Sequence, residues 1–286
     1  MARRTSFDLG EIRRRHPQHF GGLGRDQRSL AIIAGTAFAL LVFGMAQLGF
    51  FDRKLIRGLG RLAEIAGLML PPDPGNWAHV RLYVVALFET IAIALLGTLA
   101  AAVLAMPLAL LAARNVTTAR ILRFFTRRSL DTIRSVDILV WALIWINVVG
   151  LGPFAGALAI MTSDLGSFGK LFSEAIEAAD RKPLEGVTST GGGRILGVRF
   201  GILPEVFPVL ASQVLYYFES NTRSATTIGI VGAGGIGLQL AEAIRTLELQ
   251  QVSFIILLIL AAVTAIDFVS SKLRFAMIGP RAGTTA

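Results

Sequence analysis

The sequence predicts an all-α integral membrane protein with about six transmembrane helices. Of its 286 residues, 53% are hydrophobic and only 16% are charged, whereas a soluble domain carries about 25% charged residues. The mean hydropathy is +0.64, and charge-free runs long enough to cross a bilayer recur along the chain. These observations exclude a disordered chain, a collagen and an ordinary water-soluble enzyme.

The counts of cysteine and histidine limit the metal sites and catalytic groups that the chain can form. The chain has no cysteine and three histidines, and His16, His19 and His79 all lie outside the apolar runs. Without cysteine there is no disulfide, thiolate metal site or cysteine nucleophile. The positions of the histidines argue against a buried metal site or proton relay. We therefore expect no metal and no cofactor on this chain.

Two spans are predicted in the first part of the chain. The first is residues 29–51, an uncharged run that follows a basic tail and is too long, and starts too late, for a signal peptide. The second contains the uncharged run 90–113 and extends backward past Glu89 toward Arg81. Between them, residues 52–81 have apolar residues at helical spacing, which predicts a helix on the outer membrane interface.

Four more spans are predicted after residue 130. A Gly-Leu-Gly-Pro turn at 150–153 interrupts an uncharged run, and we therefore divide the run into two spans. Asp267 lies near the cytoplasmic end of the sixth span, where we expect it to be a helix cap or an interface group. The four predicted spans cover residues about 132–149, about 153–173, 206–241 and 252–271.

The distribution of basic residues predicts the orientation. Twenty of the 28 Lys and Arg residues fall on one side of a six-span topology, in residues 1–28, 114–134, 173–205 and 272–286. The positive-inside rule assigns that side to the cytoplasm, so we expect a multi-pass inner-membrane protein with both termini cytoplasmic. We attribute the net charge of +9 to basic loops that face the cytoplasm and anionic lipid. No nucleic acid partner is expected.

This orientation divides the chain into four regions. They are a cytoplasmic basic tail (1–28), a first span with an external interfacial segment (29–81), a membrane core with a cytoplasmic loop (82–278) and a cytoplasmic tail (279–286).

The polar stretch from Glu174 to Glu205 is the longest interruption after residue 134. Pro183 is suited to the first position of a helix, and Glu185 would then lie in the first turn, where a carboxylate meets the helix dipole favourably. The glycines at 191–193 end or kink that helix, and Leu203-Pro204 starts the next span. The stretch predicts a projecting helical segment that contacts a soluble partner. The alternative is a solvated loop that only connects two spans.

Several motifs in this loop and beyond it carry a family resemblance. Glu185, Gly191, Leu203 and Pro204 fall on the spacing of the cytoplasmic loop of ABC importer permeases. Gly186 and Val187 depart from it, where alanines are usual, and so does Gly201, where the family has an aliphatic residue. Further matching segments are EAIE at 174–177, KPLEG at 182–186, GLGPFAG at 150–156 and NTRSATTIGIVGAGGIG at 221–237. Over about residues 80–278 the chain resembles the phosphonate-type permease subfamily.

The resemblance implies a type I ABC importer permease fold and an ATP-driven import of phosphonate or a related phosphorus oxyanion. It implies a homodimer with a second permease copy, two cytosolic ATPase subunits that bind ATP and Mg, and an external substrate-binding protein. The chain itself would be no enzyme, and its loop at about 174–204 would dock into an ATPase cleft. Another small solute stays open as the substrate. The coupling residues implied are Glu185, Gly186, Thr190, Gly191, Gly192, Gly193, Leu203 and Pro204.

Glu219 and Arg223 interrupt the fifth apolar run. They are four residues apart with the acid first, which is the favourable order for a helical ion pair. Charged residues within a bilayer usually pair or face a cavity, so two interpretations stay open: the two side chains neutralise each other, or Arg223 also attracts an anion in the pathway. Small residues that follow could open a cavity. The candidate pathway residues are Glu219, Arg223, Ser224, Thr226, Thr227, Gly232, Gly234 and Gly235.

Rival functions have weaker support. The glycines at 232–237 fit G-x-G-x-x-G, but a dinucleotide site needs a preceding strand, and here membrane segments flank them. The chain has no phosphate-binding G-x-x-x-x-G-K-[ST] motif. A lipid-processing enzyme would need paired acids or histidines inside the bilayer. An ion-coupled secondary transporter would show internal repeats, and dependence on ATP distinguishes it from an ABC importer.

Overall fold

The computed structural model describes residues 25–50 and 53–278, and within these ranges every regular element is helical. The prediction of an all-α fold is therefore confirmed for the described residues. The chain divides into two compact units, Met1–Gly67 and Leu68–Ala286.

The first unit contains helix α1 (Arg25–Gln47) and most of helix α2 (Arg53–Leu68). Helix α1 is long and apolar enough to cross a membrane from Arg28 to Gln47. Helix α2 lies within the segment in which an interfacial helix was predicted. Its place on the outer interface stays a prediction.

The second unit holds the remaining elements. In chain order they are α3 (Trp77–Ala112), α4 (Arg120–Arg134), α5 (Ile138–Val149), α6 (Pro153–Ala178), α7 (Arg181–Ser189), α8 (Arg194–Gly197), a π-helical turn (Val198–Ile202), α9 (Leu203–Ile230), α10 (Ile236–Arg245) and α11 (Leu249–Ile278).

Four helices of the described chain have the length and apolar composition of a membrane span: α1, α3, the continuous helix Ile195–Ile230, and α11. A fifth span results if the bent pair α4–α5 crosses as one unit. Helix α6 has 26 residues, which is sufficient to span, but Asp164, Lys170, Glu174 and Glu177 make it more polar. The predicted number of about six is reached when α6 is counted too.

The predicted third span, at about 132–149, is wrong as a continuous helix. The chain bends by 89° between α4 and α5, because Asp137 starts a new helix by accepting a hydrogen bond from the Leu139 N–H at 2.8 Å. Helix α5 has only 12 residues and so rises about 18 Å, less than the ~30 Å hydrocarbon core.

The predicted fifth span, 206–241, is also divided. Helix α9 begins at Leu203, where the Leu-Pro pair predicts the start, but the π-helical turn before it continues the helix back to Ile195. Helix α9 then ends at Ile230. Positive φ angles of 106°, 83° and 73° at Gly232, Gly234 and Gly235 then break the helix before α10.

The core of the second unit is built on small residues. Helix α3 packs most extensively against α6, through a buried stripe of alanine and glycine with spacings of three and four residues. A Cβ atom on Gly97 would lie 2.7 Å from the Cβ of Ile160, so the two helices approach more closely than larger residues would allow.

Candidate coupling and translocation sites

The loop helix α7 begins earlier than the sequence predicts. The Asp180 carboxylate accepts a hydrogen bond from the Lys182 N–H at 3.2 Å and caps the helix, which therefore starts at Arg181. Pro183 is the third helical residue, not the first, and Glu185 is the fifth. The prediction that Glu185 lies in the first turn is wrong, because the cap at Asp180 starts the helix two residues before the expected start at Pro183.

The glycines end α7, as predicted. The helix stops at Ser189, and the Thr190 hydroxyl donates to the Val187 carbonyl at 2.9 Å. Gly191 has a φ of +83°, a conformation that favours glycine. Gly192 packs on Val187, where a Cβ would lie 2.7 Å from the carbonyl oxygen. Gly193, like Gly186 within α7, faces open space.

Two further glycines hold α7 against the start of the next span. A Cβ on Gly201 would lie 2.9 Å from the Leu184 Cα, and one on Gly197 would lie 2.6 Å from the Leu184 Cδ1. Gly201 is one of the three positions at which the sequence departs from the family pattern. The departure has a steric reason, since glycine lets the backbone of α7 lie directly on the π-helical turn.

A hydrogen bond also joins the two ends of this loop. The Glu205 carboxylate accepts from the Asp180 N–H at 2.8 Å, which connects the cap of α7 to the first turn of α9. Leu203 and Pro204, the predicted start of the span, occupy that same turn. Sequence reasoning missed the role of Glu205, although its place directly after Leu-Pro in a first helical turn was visible.

The outer surface of α7 is accessible. Each of its residues is exposed or half-buried, and Glu185, Gly186 and Thr188 are exposed. The loop therefore combines a fixed inner side, held by Leu184 and Glu205, with a free outer side.

A four-charge cluster replaces the predicted two-residue pair. Arg223 lies 3.7 Å from Glu219 and 3.4 Å from Asp267, and Glu219 lies 2.7 Å from Arg274. The Glu219 side chain is 13% exposed and the Arg223 side chain 48%. The predicted pairing is thus present, but the closer partner of Glu219 is Arg274.

Asp267 and Arg274 lie on α11, which packs against α9. The sequence predicted Asp267 only as a helix cap or an interface group near the cytoplasmic end of the span, and it gave Arg274 no site role. Spacing along one helix carries no information on contacts with another helix, and the two contacting residue pairs are 44 and 55 residues apart in the chain.

A buried polar network lies beside this cluster. Thr98, Asp164 and Asn221, from helices α3, α6 and α9, are each at most 4% exposed. The Asn221 amide donates to the Thr98 hydroxyl at 2.8 Å and to the Asp164 carboxylate. Asp164 was missed, although a carboxylate inside a long apolar helix suggests function by itself.

The remaining predicted pathway residues lie at the end of α9 and in the glycine break. The hydroxyl groups of Ser224, Thr226 and Thr227 donate to carbonyls four residues earlier, at 3.3–3.4 Å. That they line a cavity stays a prediction.

The glycine break is held by hydrogen bonds and close packing. The Gly235 N–H donates to the Glu89 carboxylate at 3.2 Å, and the Ile236 N–H donates to the Thr90 hydroxyl at 2.8 Å. Cβ atoms on Gly234 and Gly235 would lie 2.8 Å from the Pro153 N and 2.3 Å from the Thr90 Oγ1. The segment therefore breaks a helix and packs tightly on α3 and α6.

Comparison with known proteins now assigns the family. Residues 105–278 match the model of the binding-protein-dependent transport system inner membrane component. The chain belongs to this family. It is a multi-pass permease subunit of an ABC importer and not an enzyme, and the family implies a separate ATPase, which uses ATP and Mg, and a substrate-binding protein.

Two of the relatives that match the chain cover most of it. The putative phosphite transport system permease protein HtxC of Stutzerimonas stutzeri is 39% identical over 79% of each chain. The phosphite transport system permease protein PtxC of the same species is 35% identical over 88% of this chain and 90% of its own. The putative cryptic phosphonate transport system permease protein PhnE2 of Escherichia coli is 47% identical over 41% of this permease and 96% of its own length.

Solved structures support the fold. The permease aligns with an inward-facing MetNI methionine ABC transporter with a TM-score of 0.62 and 18% identity, over 71% of this chain and 99% of the other. At this identity the similarity concerns the fold alone, and it confirms the predicted ABC importer permease architecture.

Proposed function

We propose that this permease forms the pathway of an ATP-driven importer for a phosphorus oxyanion such as phosphite or a phosphonate. The observation that carries the proposal is the extent of the match to relatives named for phosphite transport, at 35–39% identity over most of both chains. The charge of Arg223 agrees with an anionic substrate.

The coupling step follows from the mechanics of the loop. We place α7 in the cytoplasm, where its exposed outer side, with Glu185 and Gly186, docks into the ATPase. ATP binding closes the ATPase pair and moves α7. Because Leu184 packs on Gly201 and Asp180 is bonded to Glu205, the movement passes to α9, which carries the candidate pathway residues.

Within the pathway, Arg223 has the geometry to meet an anion. Its side chain is half exposed, and both of its carboxylate partners lie at 3.4 Å or more. Glu219, by contrast, is largely buried and bonded to Arg274 at 2.7 Å. An oxyanion could therefore replace the weak contacts of Arg223 while Glu219 keeps its partner. Ser224, Thr226 and Thr227 would line the path next to it, and the break at Gly232, Gly234 and Gly235 would let α9 and α10 move separately.

The second permease of the complex is proposed to be another copy of this chain, which gives a homodimer. The alternative is a distinct paralogue, because HtxC and HtxE of Stutzerimonas stutzeri are separate permeases that both match this chain, at 39% and 34% identity. Co-expression of two differently tagged copies distinguishes these arrangements. If the complex contains two copies of this chain, sequential purification on both tags recovers it, whereas a complex with a paralogue carries only one of the tags.

Uptake into proteoliposomes tests the function. The permease, its ATPase and its binding protein are reconstituted, and accumulation of labelled phosphite or methylphosphonate is measured with and without ATP. We expect uptake that needs ATP and the binding protein and is reduced by unlabelled phosphorus oxyanions but not by methionine. Uptake driven by an ion gradient without ATP would support the secondary-transporter alternative. ATP-dependent uptake of a different solute alone would overturn the substrate assignment but not the importer.

A further inference from the structure

Helix α4 is perpendicular to its neighbour and rich in arginine. Five arginines lie among its 15 residues, and its axis makes an angle of 89° with that of α5. If α5 runs across the bilayer, α4 lies along its surface. This is the orientation of an interfacial helix.

The two faces of α4 differ in chemistry. Ile121, Leu122 and Phe125 are 74%, 46% and 62% exposed and lie on one side, while Arg120, Arg123 and Arg127 lie on the other. Leu130 is buried at the contact with α6, where its side chain fills the space above Gly169. The helix is therefore anchored at its C-terminal half, and its N-terminal half has an exposed apolar face and, opposite to it, a basic face.

The basic side of α4 borders a cavity of about 540 Å³. Phe124 and one acid, Asp131, lie among its arginines, and Asp131 contacts Arg134 at 3.8 Å. The arginines that line the cavity are Arg114, Arg120, Arg123, Arg127 and Arg128.

Some of these arginines already have protein partners. Arg127 donates to the Ala112 carbonyl and pairs with Glu177, and Arg123 donates to the Thr117 carbonyl at 3.4 Å. The side chain of Arg128 lies 5.8 Å from the Phe124 ring. In the part of the chain that the structure describes, no carboxylate lies within ion-pair distance of the Arg114, Arg120 or Arg128 guanidinium.

We propose that this cavity binds the phosphate headgroup of an anionic phospholipid in the cytoplasmic leaflet. Arg114 and Arg120 would contact the phosphate, and the exposed Phe124 in the cavity wall would contact the start of the acyl chains. The apolar face with Ile121, Leu122 and Phe125 would face the membrane on the other side of the helix. A cavity wall that combines arginines with an exposed aromatic ring fits a lipid better than a free phosphate, because a free anion would use only the basic groups. The location in the cytoplasmic leaflet rests on the orientation predicted from the basic residues.

Lipid binding to the purified permease–ATPase complex tests the proposal. The complex in detergent is titrated with short-chain phosphatidylglycerol, or with phosphatidylcholine of the same chain length, and bound lipids are counted by native mass spectrometry. Arg114→Gln with Arg120→Gln should weaken phosphatidylglycerol binding more than tenfold, since each basic residue near an anionic lipid contributes roughly fivefold. Phosphatidylcholine binding should not change.

Two further variants separate charge from folding. Arg114→Lys with Arg120→Lys keeps the charge and should retain most of the phosphatidylglycerol binding. Arg245→Gln removes an exposed arginine on α10, away from the cavity, and should match the unaltered permease.

Three results would overturn the proposal. One is equal phosphatidylglycerol binding by the glutamine double variant. Another is displacement of the lipid by inorganic phosphate at similar concentration, because the site would then take a free oxyanion. The third is loss of the ATPase from the double variant in lipid-free detergent, because the arginines would then belong to the ATPase interface. None of these results depends on the transported substrate, so the importer function is tested separately.

Discussion

Asp164 places a carboxylate where three helices leave almost no room for water. The residue is 4% exposed, and its described hydrogen-bond donor is the amide of Asn221, which also donates to Thr98. A buried polar group without a partner costs about 1–3 kcal/mol. The network therefore joins α3, α6 and α9 through Asn221, whose amide contacts both of the other members.

Substitution of Asn221 tests this dependence. Asn221→Leu leaves the buried carboxylate without its amide donor and should lower the free energy of unfolding by about 1–3 kcal/mol. Asn221→Leu with Asp164→Leu removes both partners and should recover much of that loss. Thermal unfolding of the detergent-solubilised permease measures both. An Asn221→Leu variant as stable as the unaltered permease would contradict a structural role for the network.

The charge of Arg223 can be removed without leaving a charged partner behind. Substitution of Glu219 and Arg223 together would leave Arg274 and Asp267 without their ion-pair partners, because the four side chains form one neutral cluster. Arg223→Gln with Asp267→Asn instead removes a neutral pair and keeps the contact between Glu219 and Arg274. If Arg223 serves the anion, this variant should assemble with its ATPase but lose at least about tenfold in uptake, which corresponds to ~1.4 kcal/mol.

A matched pair controls for the loss of charge. Lys170→Gln with Glu174→Gln removes a neutral pair on α6 whose charged atoms are 3.8 Å apart, and its uptake should match that of the unaltered permease. Normal uptake by an assembled Arg223→Gln, Asp267→Asn variant would limit Arg223 to neutralising its neighbours.

At the scale of elements, the coupling helix is fixed by contacts that are only partly visible in the sequence. The glycine turn after α7 and the start of α9 at Leu203 follow from local residue chemistry, and both were predicted. The start at Arg181 was not, because two cap signals compete, and the Asp180 carboxylate prevails over the preference of Pro183 for a first position. The bend between α4 and α5 was missed for a similar reason, since hydropathy does not detect the cap at Asp137.

Gly201 provides the sharpest test of the coupling element. In Gly201→Ala the new methyl group would lie 2.9 Å from the Leu184 Cα, so α7 must move away from the π-helical turn. Overpacking of this kind costs about 1–3 kcal/mol. We expect normal membrane insertion but several-fold weaker stimulation of ATP hydrolysis by the loaded binding protein.

A glycine in open space provides the control for Gly201. Gly60→Ala, on α2, introduces a methyl group with no atom within 4 Å and should leave stimulation unchanged. Full stimulation in Gly201→Ala would mean that the close packing of α7 on the turn does not transmit motion.

At the scale of the whole molecule, composition and charge distribution predict much of the architecture. The fold class follows from hydropathy because lipid requires long apolar helices with satisfied backbone groups. The contacts among Thr98, Asp164 and Asn221, and those of Arg274 and Asp267 with α9, could not be predicted. They depend on which helices become neighbours, and a single sequence records no pairing between distant segments.

The crossing of α5 decides the topology of the entire chain. Helix α5 is short for the bilayer, yet the predicted orientation needs Gly150 outside and both residues 114–134 and the coupling loop inside. Because the sequence has no cysteine, Thr117→Cys, Leu151→Cys and Ser189→Cys can each be labelled in intact cells by an impermeant maleimide without background. Leu151 is 76% exposed. In intact cells we expect labelling at Leu151→Cys only. Thr117→Cys and Ser189→Cys should be labelled only after the membrane is permeabilised. If Ser189→Cys were labelled in intact cells, α5 would turn back within the membrane, and α7 would lie on the side opposite to the ATPase.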